Sequence, residues 1–265
     1  MTNVADALVL GGGIAGLAAA YRLAMAGRSV VVLEARDRLG GRLHTVTDPE
    51  SGHPLELGAE FVHGHPAGLT ALIRSAGLAL DDVPERHQRG PGEAGPPLPD
   101  LRGALAGLLD ASDGTFPDRP VAALLREHPE RLTDPAARRA VVRYLEGFHA
   151  ADLDRFGTRA LAQNEASEDE DGDQPYRIHE GYGALVAAMT ARLDPARVAL
   201  RLETVVTALA WEPGSVRATV RLPDTSRAEL RARHCVVALP LPALQRGPER
   251  PGGVSIDPVP TGWAA

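Results

Sequence analysis

The residues best suited to chemistry in this sequence lie near its N-terminus. Gly11, Gly13 and Gly16 form a G-x-G-x-x-G motif. In such a motif the first glycine permits a tight turn, the second lets backbone approach a pyrophosphate, and the third lets a helix pack against a strand. Glu34 follows at the end of the next apolar run, where a carboxylate accepts hydrogen bonds from ribose hydroxyls and repels a 2′-phosphate. This spacing predicts a dinucleotide site that disfavours NADP.

The turn after Glu34 favours FAD over NAD, although both dinucleotides use the same glycine motif. Gly40 and Gly41 precede Arg42, whose guanidinium group can form a bidentate bond with a pyrophosphate. Negative charge would then be neutralised both by this loop and by the free N–H groups at the helix N-terminus. The alternative for Arg42 is a surface ion pair, which would contribute little to stability.

Three predicted elements position these residues. Ala7–Leu10 is a short apolar run, Ile14–Ala26 has helical spacing and ends at Gly27, and Ser29–Leu33 is rich in β-branched residues. The last run is typical of a strand that is buried on both faces. A strand, a glycine turn, a helix and a second strand of this size together predict a βαβ unit.

Composition narrows the remaining chemistry. All 28 basic residues are arginine, so lysine-based Schiff-base chemistry is excluded within these residues. The net charge of −7 would repel a phosphate backbone, and nucleic acid is not an expected partner. Cys235 is the only cysteine, so no disulfide within the chain is expected. No further metal ligands accompany His63 and His65, so no metal site is expected either. Without a signal peptide or a membrane-spanning run, we expect a cytoplasmic protein that does not bind membranes.

Five segments resemble one known family. VLGGGIAGLAAAYRLAMAGRSVVVLEARDRLGGRLHT (Val9–Thr45) resembles the N-terminal signature of the flavin-containing amine oxidases, which include monoamine, polyamine and L-amino-acid oxidases and histone demethylases of that fold. Four further segments follow in the family's order, at Leu55–Gly64, Tyr176–Met189, Val198–Trp211 and His234–Leu244. The resemblance implies an α/β fold, namely a Rossmann-like FAD-binding domain with a GR2-type βαβ unit and a partial helical substrate-side insertion.

The resemblance also implies which residues contact the cofactor. Gly58 and Ala59 would lie beside the flavin ring, and Val206 would present its backbone to the adenine. Glu60 and His63 fall where relatives line the flavin or substrate cavity, and the alternative for both is a structural role. The resemblance leaves the catalytic residue unidentified. Further FAD contacts are implied at Gly11, Gly13, Gly16, Glu34, Arg36 and Arg42.

Shifts in composition divide the chain into predicted segments. Pro84–Asp100 is a loop rich in proline and glycine and is a predicted domain boundary, whereas the acidic run Glu165–Asp173 is predicted to be a solvated loop. The FAD-binding domain is expected in residues 1–83 and 176–245, and the helical substrate-side insertion in residues 84–175. Residues 246–265 show no clear element and are expected to begin an incomplete substrate-domain segment.

In relatives the chain continues past the last of these segments, returns with a lysine near flavin N5, and closes with a second glycine-rich FAD segment. We therefore expect an FAD-dependent oxidoreductase of the amine oxidase type that is incomplete in this chain, and a partner chain that carries the other half is a candidate partner. Such an enzyme moves a hydride from the α-carbon of a small-molecule amine to flavin N5, and oxygen then becomes hydrogen peroxide. The alternatives are a truncated or regulatory FAD-binding subunit without activity and an NAD-dependent dehydrogenase.

Overall fold

The computed structural model describes residues 4–83, 101–109, 118–171 and 174–261. The chain forms two compact units. We call Met1–Val62, Ala67–Asp81 and Tyr176–Ala265 the sheet unit, and His63–Pro66 with Asp82–Pro175 the helical unit. Within the described ranges, no helix is long and apolar enough to cross a membrane.

The strands and helices are numbered in chain order. They are β1 (Ala5–Leu10), α1 (Ile14–Met25), β2 (Val30–Leu33), β3 (Thr45–Thr47), β4 (Pro54–Glu56), β5 (Val62–His63), α2 (Ala67–Ser75), β6 (Leu80–Asp82), α3 (Leu101–Leu109), α4 (Val121–Glu127), a 3₁₀ turn (Pro129–Leu132), α5 (Pro135–Gly147), α6 (Thr158–Asp171), β7 (Pro175–Ile178), α7 (Tyr182–Ala191), β8 (Val198–Arg201), β9 (Val205–Glu212), β10 (Ser215–Arg221), β11 (Arg227–Val237), α8 (Leu241–Gln245) and β12 (Ser255–Asp257).

A seven-stranded sheet organises the sheet unit, with strand order β12-β9-β10-β11-β1-β2-β8. Strand β1 lies between β2 and β11 and is parallel to both, and β8 extends this parallel part beyond β2. Strands β9, β10 and β11 pair in antiparallel fashion. The predicted α/β class is therefore confirmed, and the carboxyl ends of β1 and β2 come together because Leu10 pairs with Leu33.

Helix α1 covers one face of the parallel strands, as the sequence predicts. Leu17, Ala20 and Ala24 are buried on its inner side against Val9 and Val32, and their spacing is that of one helical face. The helix ends one residue earlier than predicted, at Met25, and the glycine that follows it has a positive φ of 78°. A glycine in this conformation is a common end of a helix.

A short hairpin fixes the start of helix α7. The Glu56 carboxylate accepts a hydrogen bond from the Tyr182 N–H, and the Thr45 hydroxyl accepts one from the Gly183 N–H, each at 2.7 Å. Both acceptors belong to the β3–β4 hairpin and satisfy N–H groups that a helix leaves unpaired in its first turn. The hairpin also joins the segment around residue 42 to the segment around residue 58, so it helps to hold these two segments in place.

The helical unit is held by its own apolar cluster. Leu108, Leu145 and Leu161 are fully buried in it. Helix α5 starts as predicted, with Pro135 at its first position and the Asp134 side chain accepting hydrogen bonds from two backbone N–H groups of the first turn. An N-cap of this kind stabilises a helix by about 1 kcal/mol.

Two sequence-based predictions about local structure are wrong. The acidic run Glu165–Asp173 is not a loop over its first seven residues, because α6 continues to Asp171. Glutamate is a good helix former, and neither glycine nor proline interrupts the sequence before Gly172. The stretch from residue 246 onward also contains an element, since Ser255–Asp257 forms β12 and pairs with β9. The predicted loop Pro84–Asp100 lies outside the described residues.

Candidate functional site

The glycine motif forms the turn between β1 and α1, and its shape requires glycine. Gly11 has a φ of 105°, and a Cβ atom there would lie 2.7 Å from the Ala238 carbonyl oxygen. A Cβ atom on Gly16 would lie 1.9 Å from the Gly11 carbonyl oxygen, which no side chain can tolerate without a backbone shift. Gly13 is the N-cap of α1 and provides no side-chain cap, so the N–H groups of the first turn stay available for an anion.

The predicted ribose carboxylate lies beside this turn. Glu34 is only 8% exposed. One carboxylate oxygen accepts a hydrogen bond from the Gly12 N–H at 2.7 Å, and the other accepts one from the Arg36 N–H at 2.9 Å. A carboxylate has about four acceptor positions, so these two bonds fix its orientation and leave capacity for ribose hydroxyls.

A second glycine turn packs directly against the first. The Gly40 N–H donates to the Gly12 carbonyl at 2.9 Å, and Gly13 and Gly40 form an isolated parallel bridge. A Cβ atom on Gly41 would lie 3.1 Å from the Gly13 Cα atom. The segment that ends in Arg42 is therefore held against the N-terminus of α1, as a second contributor to phosphate binding requires.

Three arginine side chains surround this second turn. Arg36 donates to the Gly41 carbonyl at 2.9 Å, and Arg38 donates to the Leu39, Gly41 and Leu43 carbonyls at 3.3, 3.1 and 2.9 Å. Arg42 is exposed and forms no ion pair with any of the described residues. The alternative of a surface ion pair for Arg42 therefore has no support within this part of the chain.

These arginines line a cavity of about 470 Å³, which we call the arginine cavity. A Cβ atom on Gly58 would lie 1.9 Å from the Arg42 carbonyl oxygen, and the Ala59 N–H donates to that same carbonyl at 3.2 Å. The structure thus brings Arg36, Arg42, Gly58 and Ala59 together, although they come from two separate sequence segments. The lining consists of Arg36, Arg38, Gly41, Arg42, His44, Leu57, Gly58 and Ala59.

Val206 is close to the strand end that carries Glu34. Its side chain is buried in the same apolar cluster as Leu10 and Leu33. The N–H of Thr204 donates to the Glu34 carbonyl at 2.8 Å, which holds the start of β9 across the end of β2. Strand β12 begins to pair with β9 only at Ala208. Val206 therefore lies two residues after the contact between the start of β9 and the end of β2, and its adenine contact stays a prediction.

Glu60 lies in a second cavity, and His63 is part of the other unit. The Glu60 carboxylate forms an ion pair with Arg177, whose guanidinium carbon lies 5.0 Å above the Phe61 ring. His63 makes an edge contact with Phe148, with ring centroids 6.2 Å apart. The second cavity has a volume of about 930 Å³, and we call it the carboxylate cavity because its lining includes Glu56, Glu60, Asp81 and Glu180.

Two further observations bear on the chemistry of the protein. Burial raises the pKa of the Cys235 thiol to about 12, so this cysteine stays protonated and is a poor nucleophile. Within the described residues, no group of three or more His, Cys, Asp or Glu side chains is placed to hold a metal ion.

Comparison with known proteins identifies the family of this chain. The flavin containing amine oxidoreductase family matches residues 14–263. The chain belongs to this family. Polyamine oxidase 4 of Oryza sativa subsp. japonica is 28% identical over 267 residues, which cover 90% of this chain and 52% of that protein. Polyamine oxidase 5 of the same organism is 49% identical over 75 residues, or 28% of this chain and 15% of that protein.

A solved structure extends the agreement to the fold. Cyclohexylamine oxidase from Brevibacterium oxydans IH-35A superposes with a TM-score of 0.76 at 23% sequence identity, over 98% of this chain and 62% of that one. The chain thus spans about half to three fifths of the length of these amine oxidase family members, where the match is longest.

FAD is the cofactor of this amine oxidase family member, and the residues present fit it. The glycine turn leaves the N-terminus of α1 free for phosphate, Glu34 retains acceptor positions, and three guanidinium groups line a cavity beside them. Sequence reasoning missed Arg38 and His44 as lining residues of that cavity. The only available signal was the repeated arginine in the segment ARDRLGGR.

Proposed function

We propose that this chain provides the adenosine and pyrophosphate half of the FAD site in an amine-oxidising flavoenzyme. The observation that carries the proposal is the arginine cavity itself. Three guanidinium groups line it, its lining as described contains no Asp or Glu, and Gly41 in its wall packs on the N-cap of α1. A dianionic pyrophosphate is the natural occupant of such a place, because guanidinium groups and a helix N-terminus both favour it.

In this proposal each residue has the role that the family resemblance implies. The Gly11–Gly16 turn admits the phosphates, Arg42 neutralises their charge, and Glu34 accepts hydrogen bonds from the ribose. The Val206 backbone would contact the adenine, while Gly58 and Ala59, which line the arginine cavity, would approach the flavin ring. When FAD is bound, its flavin supplies the acceptor for a hydride from the α-carbon of a small-molecule amine.

We further propose that the flavin ring needs covering residues beyond the lining of the arginine cavity. Leu57 lines this cavity and is 63% exposed, and Leu55 beside it is 48% exposed. A flavin placed there would stay in contact with water on that side. Orientation of reactants in an enclosed site can supply about 7–11 kcal/mol of a barrier, so amine oxidation requires such a cover, and a partner chain is one source of it.

The proposal is tested by titrating the 265-residue chain with FAD, ADP, adenosine and NADH in a calorimeter. We expect ADP to bind at least ~10-fold more tightly than adenosine, since the pyrophosphate forms charged hydrogen bonds. Equal affinity for ADP and adenosine would refute the role of the arginine cavity. Tighter binding of NADH than of FAD would instead support a nicotinamide-dependent dehydrogenase.

A peroxide assay tests the need for a cover. We expect no amine-dependent peroxide from this chain alone, and peroxide production once a chain with the remaining family segments is added. Turnover of an amine by the 265-residue chain by itself would show that its own residues enclose the flavin.

A further inference from the structure

The side chain of Arg38 is directed at the backbone of the turn that follows it. One terminal nitrogen donates to the Leu43 carbonyl at 2.9 Å and to the Leu39 carbonyl at 3.3 Å, and the other donates to the Gly41 carbonyl at 3.1 Å. Arg36 donates to the same Gly41 oxygen at 2.9 Å. Two guanidinium groups therefore meet on one carbonyl, whose two lone pairs are both used.

This arrangement fixes the plane of one peptide group. Gly40 and Gly41 have positive φ values of 99° and 61°, and a glycine pair has more conformational freedom than any other pair of residues. The peptide between Gly41 and Arg42 is trans, so the Arg42 N–H points away from the Gly41 oxygen. Once that oxygen is held by the two arginines, the direction in which Arg42 leaves the turn is also set.

We propose that Arg38 is a positioning residue for the cofactor site. It acts through the Gly41 carbonyl, with Arg36 as the second donor, and thereby aims the Arg42 guanidinium group at the pyrophosphate. This inference rests on the function proposed above.

A simple electrostatic role for Arg38 is the competing explanation, and Arg38→Lys separates the two. Lysine keeps the positive charge but has no planar fork, so it cannot hold three carbonyls in the same geometry. We expect Arg38→Lys to bind FAD and ADP about 10-fold more weakly, with adenosine affinity unchanged. The matched control is Arg22→Lys, at an exposed position on α1, where we expect no change in any of the three affinities.

A double-mutant cycle identifies the route by which Arg38 acts. The FAD dissociation constant is measured for wild type, Arg38→Lys, Arg42→Ala and the double variant. We expect the ~10-fold effect of Arg38→Lys to fall below about 2-fold when Arg42 is already alanine, because the two residues act through one peptide group. Additive effects would overturn the proposal, and so would equal FAD affinity of wild type and Arg38→Lys.

Thermal unfolding of every variant accompanies the cycle, and only variants whose Tm matches wild type are compared. If Arg38→Lys does not fold, Arg36→Lys is used instead, because Arg36 is the second donor to the Gly41 carbonyl. Its effect is likewise expected to be non-additive with that of Arg42→Ala. Failure of the wild-type chain to bind ADP would refute the proposed function and this inference together. Normal wild-type binding with additive variants would refute this inference alone.

Discussion

Two cavities of the sheet unit, the arginine cavity and the carboxylate cavity, contrast in their charge and in the partners that their charged groups bind. In the arginine cavity, the side chains of Arg36 and Arg38 donate to backbone carbonyls, which are neutral. In the carboxylate cavity, Glu60 pairs with Arg177 and Asp81 pairs with His179. The remaining two carboxylates there, those of Glu56 and Glu180, accept hydrogen bonds from backbone N–H groups.

The difference shows why charge count alone does not identify a binding site. A carbonyl orients a guanidinium group without cancelling its charge, so the arginine cavity keeps its positive potential for an anion. An ion pair such as Glu60 with Arg177 cancels charge within the cavity wall. The carboxylate cavity keeps the negative charges of Glu56 and Glu180, which repel an anion, whereas the arginine cavity attracts one. We therefore propose the arginine cavity as the place of the cofactor phosphates.

The largest expected effect comes from adding a side chain inside the glycine turn that packs against the wall of the arginine cavity. Gly16→Ala puts a Cβ atom 1.9 Å from the Gly11 oxygen, and relief of such overlap costs about 1–3 kcal/mol or more. We expect loss of ADP binding and a fall in Tm of roughly 5–10 °C. Gly68→Ala is the control, because nothing lies within 4 Å of a Cβ atom there. Unchanged ADP binding in Gly16→Ala would show that the turn is not part of the site.

The second-largest expected effect distinguishes Glu34, beside the glycine turn, from Glu60 in the carboxylate cavity. Glu34→Ala removes the carboxylate that binds the Gly12 N–H and that we propose as the acceptor for the ribose. Hydrogen bonds of a charged group contribute about 1.5–3 kcal/mol. We expect FAD affinity to fall roughly 10- to 150-fold. Glu60→Ala should change it less than about 2-fold, since Glu60 lies in the carboxylate cavity. Calorimetric titration of both variants checks this, and equal losses would remove the distinction between the cavities.

The smallest effect concerns the exposed pair in the carboxylate cavity. The hydrogen bond and charge of Asp81 raise the pKa of His179 above its ordinary value of 6.5. A raised pKa means that the pair stabilises the fold at pH below 6.5, and that this contribution disappears as the pH rises through the higher folded-state value. We expect Asp81→Asn to lower Tm slightly at about pH 5.5 and not at about pH 8.5. If Asp81→Asn still lowers Tm at the higher pH, the effect does not come from the charged pair of His179 and Asp81.

The sequence predicts the local parts of this site well. The strands and helix around the G-x-G-x-x-G motif form nearly where expected, because apolar periodicity and glycine placement are local signals. Glu34 also lies at the predicted strand end. Its bond to the Gly12 N–H could not be foreseen, since every residue except proline has such a donor and only the fold selects one.

Strand β12 and the contacts of Arg38 could not be predicted, because both depend on partners that only the fold brings near. Strand β12 has three residues in a stretch rich in proline and glycine, and it exists because the edge of β9 offers a partner. Arg38 donates only to backbone carbonyl groups. Every residue has such a group, so the sequence does not show which ones an arginine will bind. The roles of all the predicted site residues toward a ligand stay predictions, and the division of the chain into domains stays a proposal.

The position of β1 between β2 and β11 has a consequence for the order in which the protein forms. The motif that marks the site is complete within the first few dozen residues, but the wall behind Gly11 is the Ala238 carbonyl, which is synthesised near the end of this chain. Contacts between such distant residues form slowly, because a long loop must close before they contribute. The nascent chain thus carries the glycine motif long before the turn around it can be complete. The turn is completed only when β11 pairs with β1.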